Sequence, residues 1–187
     1  RRFAALRPAA KDFKIMWDNA YCVHHLTDTH DVILNMLEEC RKAGHEDRAL
    51  MFCSLSKVTF PGAGVAAMAA SRRNIDYILK NMFPMIISFD KLNQVRHIRF
   101  LKDMDGLAAH MEKHRALLEP KFRAVLAILD EGLSGCGSIA RWTKPNGGYF
   151  LSLYTLGGCA KRTVQLCREA GVVLTDAGAA YPYGVDP

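Results

Sequence analysis

The hydrophobic positions change period along the chain, and the changes mark out its elements. A short apolar run, FKIMWD (13–18), closes on an acid. In DVILNMLEECRKAG, Val32, Ile33, Met36 and Leu37 recur at helical spacing, which predicts a helix capped by Asp28 or Thr29 and stopped by Gly44. RALMFCS (48–54) and GVAAMAAS (64–71) are apolar runs of strand length, and SRRNIDYILKNMF (71–83) predicts a second helix, interrupted by Pro84. Strand, helix, strand over about forty residues predicts a parallel unit with a right-handed crossover.

From Lys91 the pattern is helical for a long stretch. Leu107, Met111, Leu118, Phe122, Val125, Leu126 and Leu129 fall along one side, with Pro120 expected to kink or break the helix. After glycines at 132, 135 and 137, IARWTKPNGGYFLSLYTL predicts two strands joined by a turn at 145–148. GCAKRTVQLCREAG predicts a helix ending at Gly171, and VVLT (172–175) a last short strand. The fold class expected is α/β: a part up to residue 90 with a mainly parallel sheet, a long helical connector over 91–135, and a small α+β part over 136–187.

Ligands of parallel sheets bind beyond the carboxyl ends of the strands. Asp18 and the segment Ser54–Lys57 occupy two such ends, so two strands deliver polar residues to one crevice. Composition adds little: half the residues are hydrophobic and 24% are charged, an ordinary globular balance. No run is long and apolar enough to span a bilayer, and the basic start RRFAALRPAAKDF lacks the apolar region of a signal peptide. The net charge of +6 suits anionic small molecules; eight basic residues between Lys91 and Arg123 face four acids and read as a solvated helix surface, not a nucleic-acid site. The six cysteines, at 22, 40, 53, 136, 159 and 167, show no C-x-x-C spacing, so neither zinc nor a disulfide framework is indicated; reduced thiols in a cytoplasmic setting are expected.

The stretch CSLSKVTFPGAGVAAMAAS (53–71) sets Lys57 just after a strand end and follows it with almost bare backbone. A lysine amine becomes nucleophilic when burial or nearby positive charge favours its neutral form, and it then forms an imine with an aldehyde. Pyridoxal phosphate asks a protein for such a lysine, a carboxylate at its ring nitrogen, a donor to its ring oxygen and a phosphate cradle. Lys57, Asp18, Tyr21 and Ser54 can supply these, with Gly62 and Gly64 permitting close backbone approach. Singly each signal is weak: a strand-terminal Asp more often caps a turn, and a Tyr near a strand end more often packs. Their joint placement carries the argument.

WDNAY (17–21), SLSKVTFPGAGVA (54–66), NQVRHIRFLKD (93–103), KPNGGYFLSL (144–153) and GAAYPYGVDP (178–187) together resemble the fold-type I pyridoxal-phosphate aminotransferases, in particular the bacterial aspartate aminotransferase branch. The resemblance implies that Asp18 holds the pyridine nitrogen, Tyr21 the ring oxygen and Ser54 the phosphate, with Ser56 assisting. Lys57 is the Schiff-base lysine and the proton shuttle. It further implies a homodimer, amino-acid and 2-oxo-acid substrates, and ping-pong transamination between aspartate and 2-oxoglutarate, with no metal. The common pattern has a phosphate-binding arginine seven residues after the lysine; here Gly64 stands there. The ring-stacking aromatic residue and the arginine for the substrate carboxylate find no match in the chain, which reads as an internal piece of a longer enzyme. A lyase or decarboxylase on the same cofactor, and a chain without turnover of its own, are the alternatives. His24 and His25 are read as loop histidines or cofactor contacts, and His97, His110 and His114 as surface residues of the basic helices.

Overall fold

In Ile15–Asp18 exposure alternates residue by residue, with Met16 turned out and Trp17 turned in, and the segment forms strand β1. It lies parallel to β2 (Ala49–Ser54), with Ile15 opposite Ala49 and Asp18 opposite Phe52. β3 (Ala66–Ala70) returns antiparallel on the other side of β2, with Ser54 opposite Ala66. The sheet order is therefore β1-β2-β3, and the sheet is mixed where a mainly parallel one was expected. The connection after Ser54 holds no helix to carry a crossover, and without one the chain can only fold straight back. The computed structural model describes residues 1–185; Asp186 and Pro187, the end of the GAAYPYGVDP motif, lie outside the described residues.

Helix α1 (Met36–Lys42) connects β1 to β2 and buries Met36 and Cys40 against Ala4 and Ala49. It begins later than the apolar spacing predicts. Asn35 Oδ1 accepts the amides of Leu37 (3.1 Å) and Glu38 (3.3 Å), while Val32 is 89% exposed. The expected caps are engaged elsewhere: Asp28 pairs with Arg115, and the Thr29 carbonyl accepts the Thr27 hydroxyl. Arg48 ties the N-terminal segment down by donating to the carbonyls of Ala4 (2.6 Å) and Leu6 (2.8 Å).

Helices α2 (Arg72–Met82) and α3 (Lys91–Leu101) are capped by Ser71 and Asp90. Helix α4 (Met104–Leu133) contains Pro120 without a break, so of the kink or break expected there the break does not occur. The proline removes a single amide, the partner of the Ala116 carbonyl.

The chain divides into two units: Arg1–Leu117 with Asn146–Gly148, and Leu118–Pro145 with Tyr149–Pro187. In the second, β4 (Ala140–Trp142) and β5 (Leu153–Thr155) pair antiparallel, and α5 (Ala160–Glu169) ends before Gly171, whose φ is +86°. The expected tight turn at 145–148 is not what joins the strands. Asn146–Gly148 belong to the first unit, where the Asn146 carbonyl accepts the Leu26 amide and the Gly148 amide donates to the His24 carbonyl, both at 2.8 Å. The expected strand at 172–175 is absent among the described residues; the Val172 amide turns back to the Cys167 carbonyl and Val173 is 79% exposed. No helix of the described residues is long and apolar enough to cross a membrane.

Candidate active site

Because β1 and β2 are parallel neighbours, Asp18 and Ser54 leave the sheet at the same edge. The Asn19 amide donates to the Phe52 carbonyl (2.8 Å), continuing the ladder one step past Asp18 and fixing where the chain turns away. Asp18 is exposed at this edge. Tyr21 follows in the next turn, half-buried, its ring edge-on to His24 with centroids 5.4 Å apart.

After Ser54 the backbone makes one tight turn. Ser54 Oγ accepts the Ser56 amide (3.0 Å) and lies 2.7 Å from Ser56 Oγ, so the two hydroxyls share a hydrogen bond. The amides of Val58 and Thr59 both donate to the Leu55 carbonyl, at 3.0 and 2.8 Å. Lys57 stands on this turn with its side chain exposed.

Gly64 closes the cradle from the other side. A Cβ there would meet the Ser56 amide nitrogen at 3.1 Å, Ser56 Oγ at 3.2 Å and the Phe60 carbonyl oxygen at 3.3 Å. That space accounts for the departure from the common arginine: any side chain at 64 begins with a Cβ that crowds the serine turn. The donor set fits a phosphorylated pyridine aldehyde. It offers a lysine amine, a carboxylate one strand away, two hydroxyls with a backbone amide between them, and a glycine where a larger residue would fill the cradle.

The histidines correct the sequence reading. His97 is only 8% exposed, and its Nε2 lies 2.7 Å from Thr59 Oγ1. His110 Nε2 donates to the Val58 carbonyl (2.8 Å), and His114 stands 3.2 Å from His110, nitrogen to nitrogen. These three side chains face the lysine turn, not solvent. His24, 3% exposed, donates from Nε2 to the Lys57 carbonyl at 3.0 Å. The signal available beforehand was spacing: Asn93 and His97, and His110 and His114, are each four apart and so share a helix face.

Burial and the neighbouring His110 and His24 push the His114 pKa down, and burial with His30 and His24 does the same for His25. Burial, and then Cys53, push the Cys22 thiol up. All six cysteines carry free thiols.

The fold is mixed α/β, with a carboxylate at the end of one strand and a Ser-Leu-Ser-Lys turn at the end of its parallel neighbour. A family model described as aspartate amino-transferase matches residues 1–187, and the chain belongs to that family. A Mycolicibacterium smegmatis protein named as an aminotransferase is 49% identical over the whole chain, which covers 44% of it. The aspartate aminotransferase of Corynebacterium glutamicum is 42% identical, again over the whole chain and 43% of its own length. A solved aspartate transaminase of C. glutamicum superposes with a TM-score of 0.91 at 42% identity, over 100% of this chain and 44% of that one. The α-aminoadipate aminotransferase LysN of Thermus thermophilus, solved with N-(5'-phosphopyridoxyl)-L-leucine, shares the fold at 23% identity with a TM-score of 0.66, over 88% of this chain and 41% of that one. The chain thus spans less than half the length of the curated relatives it matches.

Proposed function

We propose that this chain is the lysine-bearing portion of a pyridoxal 5'-phosphate aminotransferase, and that the protein exchanges an amino group between aspartate and 2-oxoglutarate. The observation that carries the reading is the shared strand edge: Asp18 and the Ser54–Lys57 turn lie on adjacent parallel strands, with bare Gly64 backbone against Ser56. Residues 1–90 form part of the cofactor-binding domain, 91–135 the helical connector and 136–187 part of the small domain. The choice of aspartate rests on the C. glutamicum relative.

When bound, the cofactor supplies an electron-withdrawing ring that lowers the acidity barrier at the substrate α-carbon. The chain's own residues do the rest. The Asp18 carboxylate holds the proton on the pyridine nitrogen, keeping the ring electron-poor. Tyr21 donates its hydroxyl to the ring oxygen. Ser54 Oγ, Ser56 Oγ and the amides of the turn bind the phosphate. Lys57 Nζ would anchor the cofactor and, once released, would take up the substrate's α-proton and give it back on the far side of the substrate nitrogen, acting as base and then acid at one nitrogen. We expect a cytoplasmic homodimer.

The test is to load the full-length protein with pyridoxal phosphate, reduce with borohydride and map the adduct by peptide mass spectrometry. Label on Lys57, lost in Asp18→Ala at limiting cofactor, is the expected result. Label scattered over surface lysines sinks the assignment. Product analysis with aspartate then separates transamination, giving oxaloacetate and a new amino acid, from decarboxylation, giving alanine and carbon dioxide.

A further inference from the structure

Three histidines from three separate stretches of the first unit meet three successive residues of the lysine turn. His24, in the loop after β1, donates to the Lys57 carbonyl at 3.0 Å. His110, on α4, donates to the Val58 carbonyl at 2.8 Å. His97, on α3, is 2.7 Å from the Thr59 hydroxyl. The ring's other nitrogen is engaged as well. His97 Nδ1 lies 2.8 Å from the Asn93 carbonyl, which can only accept, so Nδ1 carries a proton; the Thr59 hydroxyl, with one proton of its own, is placed against both His97 Nε2 and the Leu55 carbonyl (3.2 Å).

Surface turns ordinarily leave their outward carbonyls to water. Here His24 and His97 are 3% and 8% exposed, and the turn's polar groups point inward to them. Burying an imidazole is unfavourable unless its polar atoms are matched; His97 is matched at both ring nitrogens, and His24 meets the turn through Nε2. Asn93, 9% exposed, extends the pattern by donating from Nδ2 to the carbonyls of Ala63 (2.6 Å) and Gly64 (3.2 Å). So the backbone on both sides of the cradle is pinned while the Lys57 side chain stays exposed.

We propose that His24, His97 and His110 are positioning residues: they clamp residues 57–59, two through backbone carbonyls and one through the Thr59 hydroxyl, so that Lys57 Nζ delivers and collects protons from one fixed root. The proposal rests on Lys57 being the cofactor-bearing lysine. A base that must reach two carbons on either side of one nitrogen gains from a rigid Cα beneath a long side chain, because angstrom-scale misplacement lowers proton-transfer rates steeply.

The test compares Thr59→Val, which removes the hydroxyl at nearly constant shape, with Thr59→Ser, which keeps it, and adds His110→Phe, all in the full-length protein. Hydrogen–deuterium exchange of a peptide covering residues 55–60 needs no cofactor. The Val58 and Thr59 amides should exchange about tenfold faster in Thr59→Val and His110→Phe, with Thr59→Ser like the parent and β2 unchanged, as expected for losing one matched buried hydrogen bond. In the loaded enzyme kcat should fall about tenfold at unchanged KM, the pattern of an interaction that matters only in the transition state. Trapped cofactor on Lys57 with unaltered exchange and kcat overturns the clamp alone, as does failure of Thr59→Ser to restore either. Absence of trapped cofactor on Lys57 in the parent protein overturns the cofactor reading and the clamp with it. Should His110→Phe fail to fold, the Thr59 pair decides, since it alters no histidine.

Discussion

Replacing Gly64 by alanine tests the cradle where the structure is least forgiving. The new Cβ would approach two backbone atoms, the Ser56 nitrogen at 3.1 Å and the Phe60 oxygen at 3.3 Å, and one side-chain atom, Ser56 Oγ at 3.2 Å. Neither backbone atom can rotate away. The Ser56 amide is held at 3.0 Å by Ser54 Oγ, so relief requires the serine turn to shift as a body by a few tenths of an ångström. Overpacking of this kind costs about 1–3 kcal/mol. The loss of glycine's freedom in the unfolded chain returns about 0.4–1 kcal/mol. That return bears on folding and does not enter a Kd; a cost of about 1–2 kcal/mol for restoring the turn to the geometry proposed to face the phosphate should appear in cofactor binding, as a Kd raised about 5- to 30-fold. The assay is equilibrium titration of the apoprotein with pyridoxal phosphate, with borohydride trapping at Lys57 as a second readout. Gly64→Arg, which reinstates the residue of the common pattern, should bind still more weakly than Gly64→Ala. Unchanged affinity in Gly64→Ala, or improved affinity in Gly64→Arg, would refute the argument that bare backbone at 64 shapes the cradle.

Asn35→Ala removes the cap of α1 and should cost about 1 kcal/mol in chemical denaturation. An unchanged midpoint would show that the α1 terminus is held by packing alone. Asp47 accepts from the Ser71 hydroxyl and from Arg73, and its carbonyl takes Lys14 and Asn74, so Asp47→Ala should fray the start of α2, seen as faster amide exchange over residues 72–75 with β2 unaffected. The depressed pKa values of His114 and His25 give a pH dependence of known sign. Both rings are ordinarily half-protonated at 6.5 and bind protons less readily when folded, so the unfolded chain takes up more protons in acid. Stability should hold above pH 6.5 and fall as the pH drops from there through the lowered folded values. Melting temperature against pH should show this slope, and His114→Gln should flatten it; a slope of opposite sign contradicts the burial of that ring.

How far the fold was legible follows from the range of each signal. β1, β2 and the start of the lysine turn were set by local runs and by residues at strand ends, so FKIMWD and RALMFCS announced them. The direction of β3 was not in its own composition; it depended on whether a helix intervened after Ser54. The α1 start was misplaced because Val32 and Ile33 continue the apolar spacing, whereas Asn35 decides where the first amides find an acceptor. Residues Asn146–Gly148 looked like a turn from their own chemistry, yet they pair with His24–Leu26 far away in sequence. Gly147 must be glycine there, since a Cβ would stand 2.7 Å from the His24 carbonyl oxygen. The histidines were the largest miss, because a histidine on a basic helix carries no local sign of what it faces.

The same misses explain why an aminotransferase of this branch can do without the arginine at 64. In the pattern the sequence resembles, an arginine at that position binds the phosphate, and a guanidinium is a strong, charged donor. Here Gly64 lets the backbone close on Ser56, so neutral hydroxyl and amide donors line the cradle where the phosphate is proposed to bind. Rigidity comes from elsewhere: Asn93 holds the carbonyls of Ala63 and Gly64, and His97, His110 and His24 hold residues 59, 58 and 57. Neutral donors are weaker than a guanidinium, so they bind well only when they need no reorganisation. A cradle of short hydroxyls and bare backbone therefore needs a clamp beneath it, and removing either the open space at 64 or the side chains beneath the turn should degrade the same property, the fixed geometry of Ser54 to Lys57.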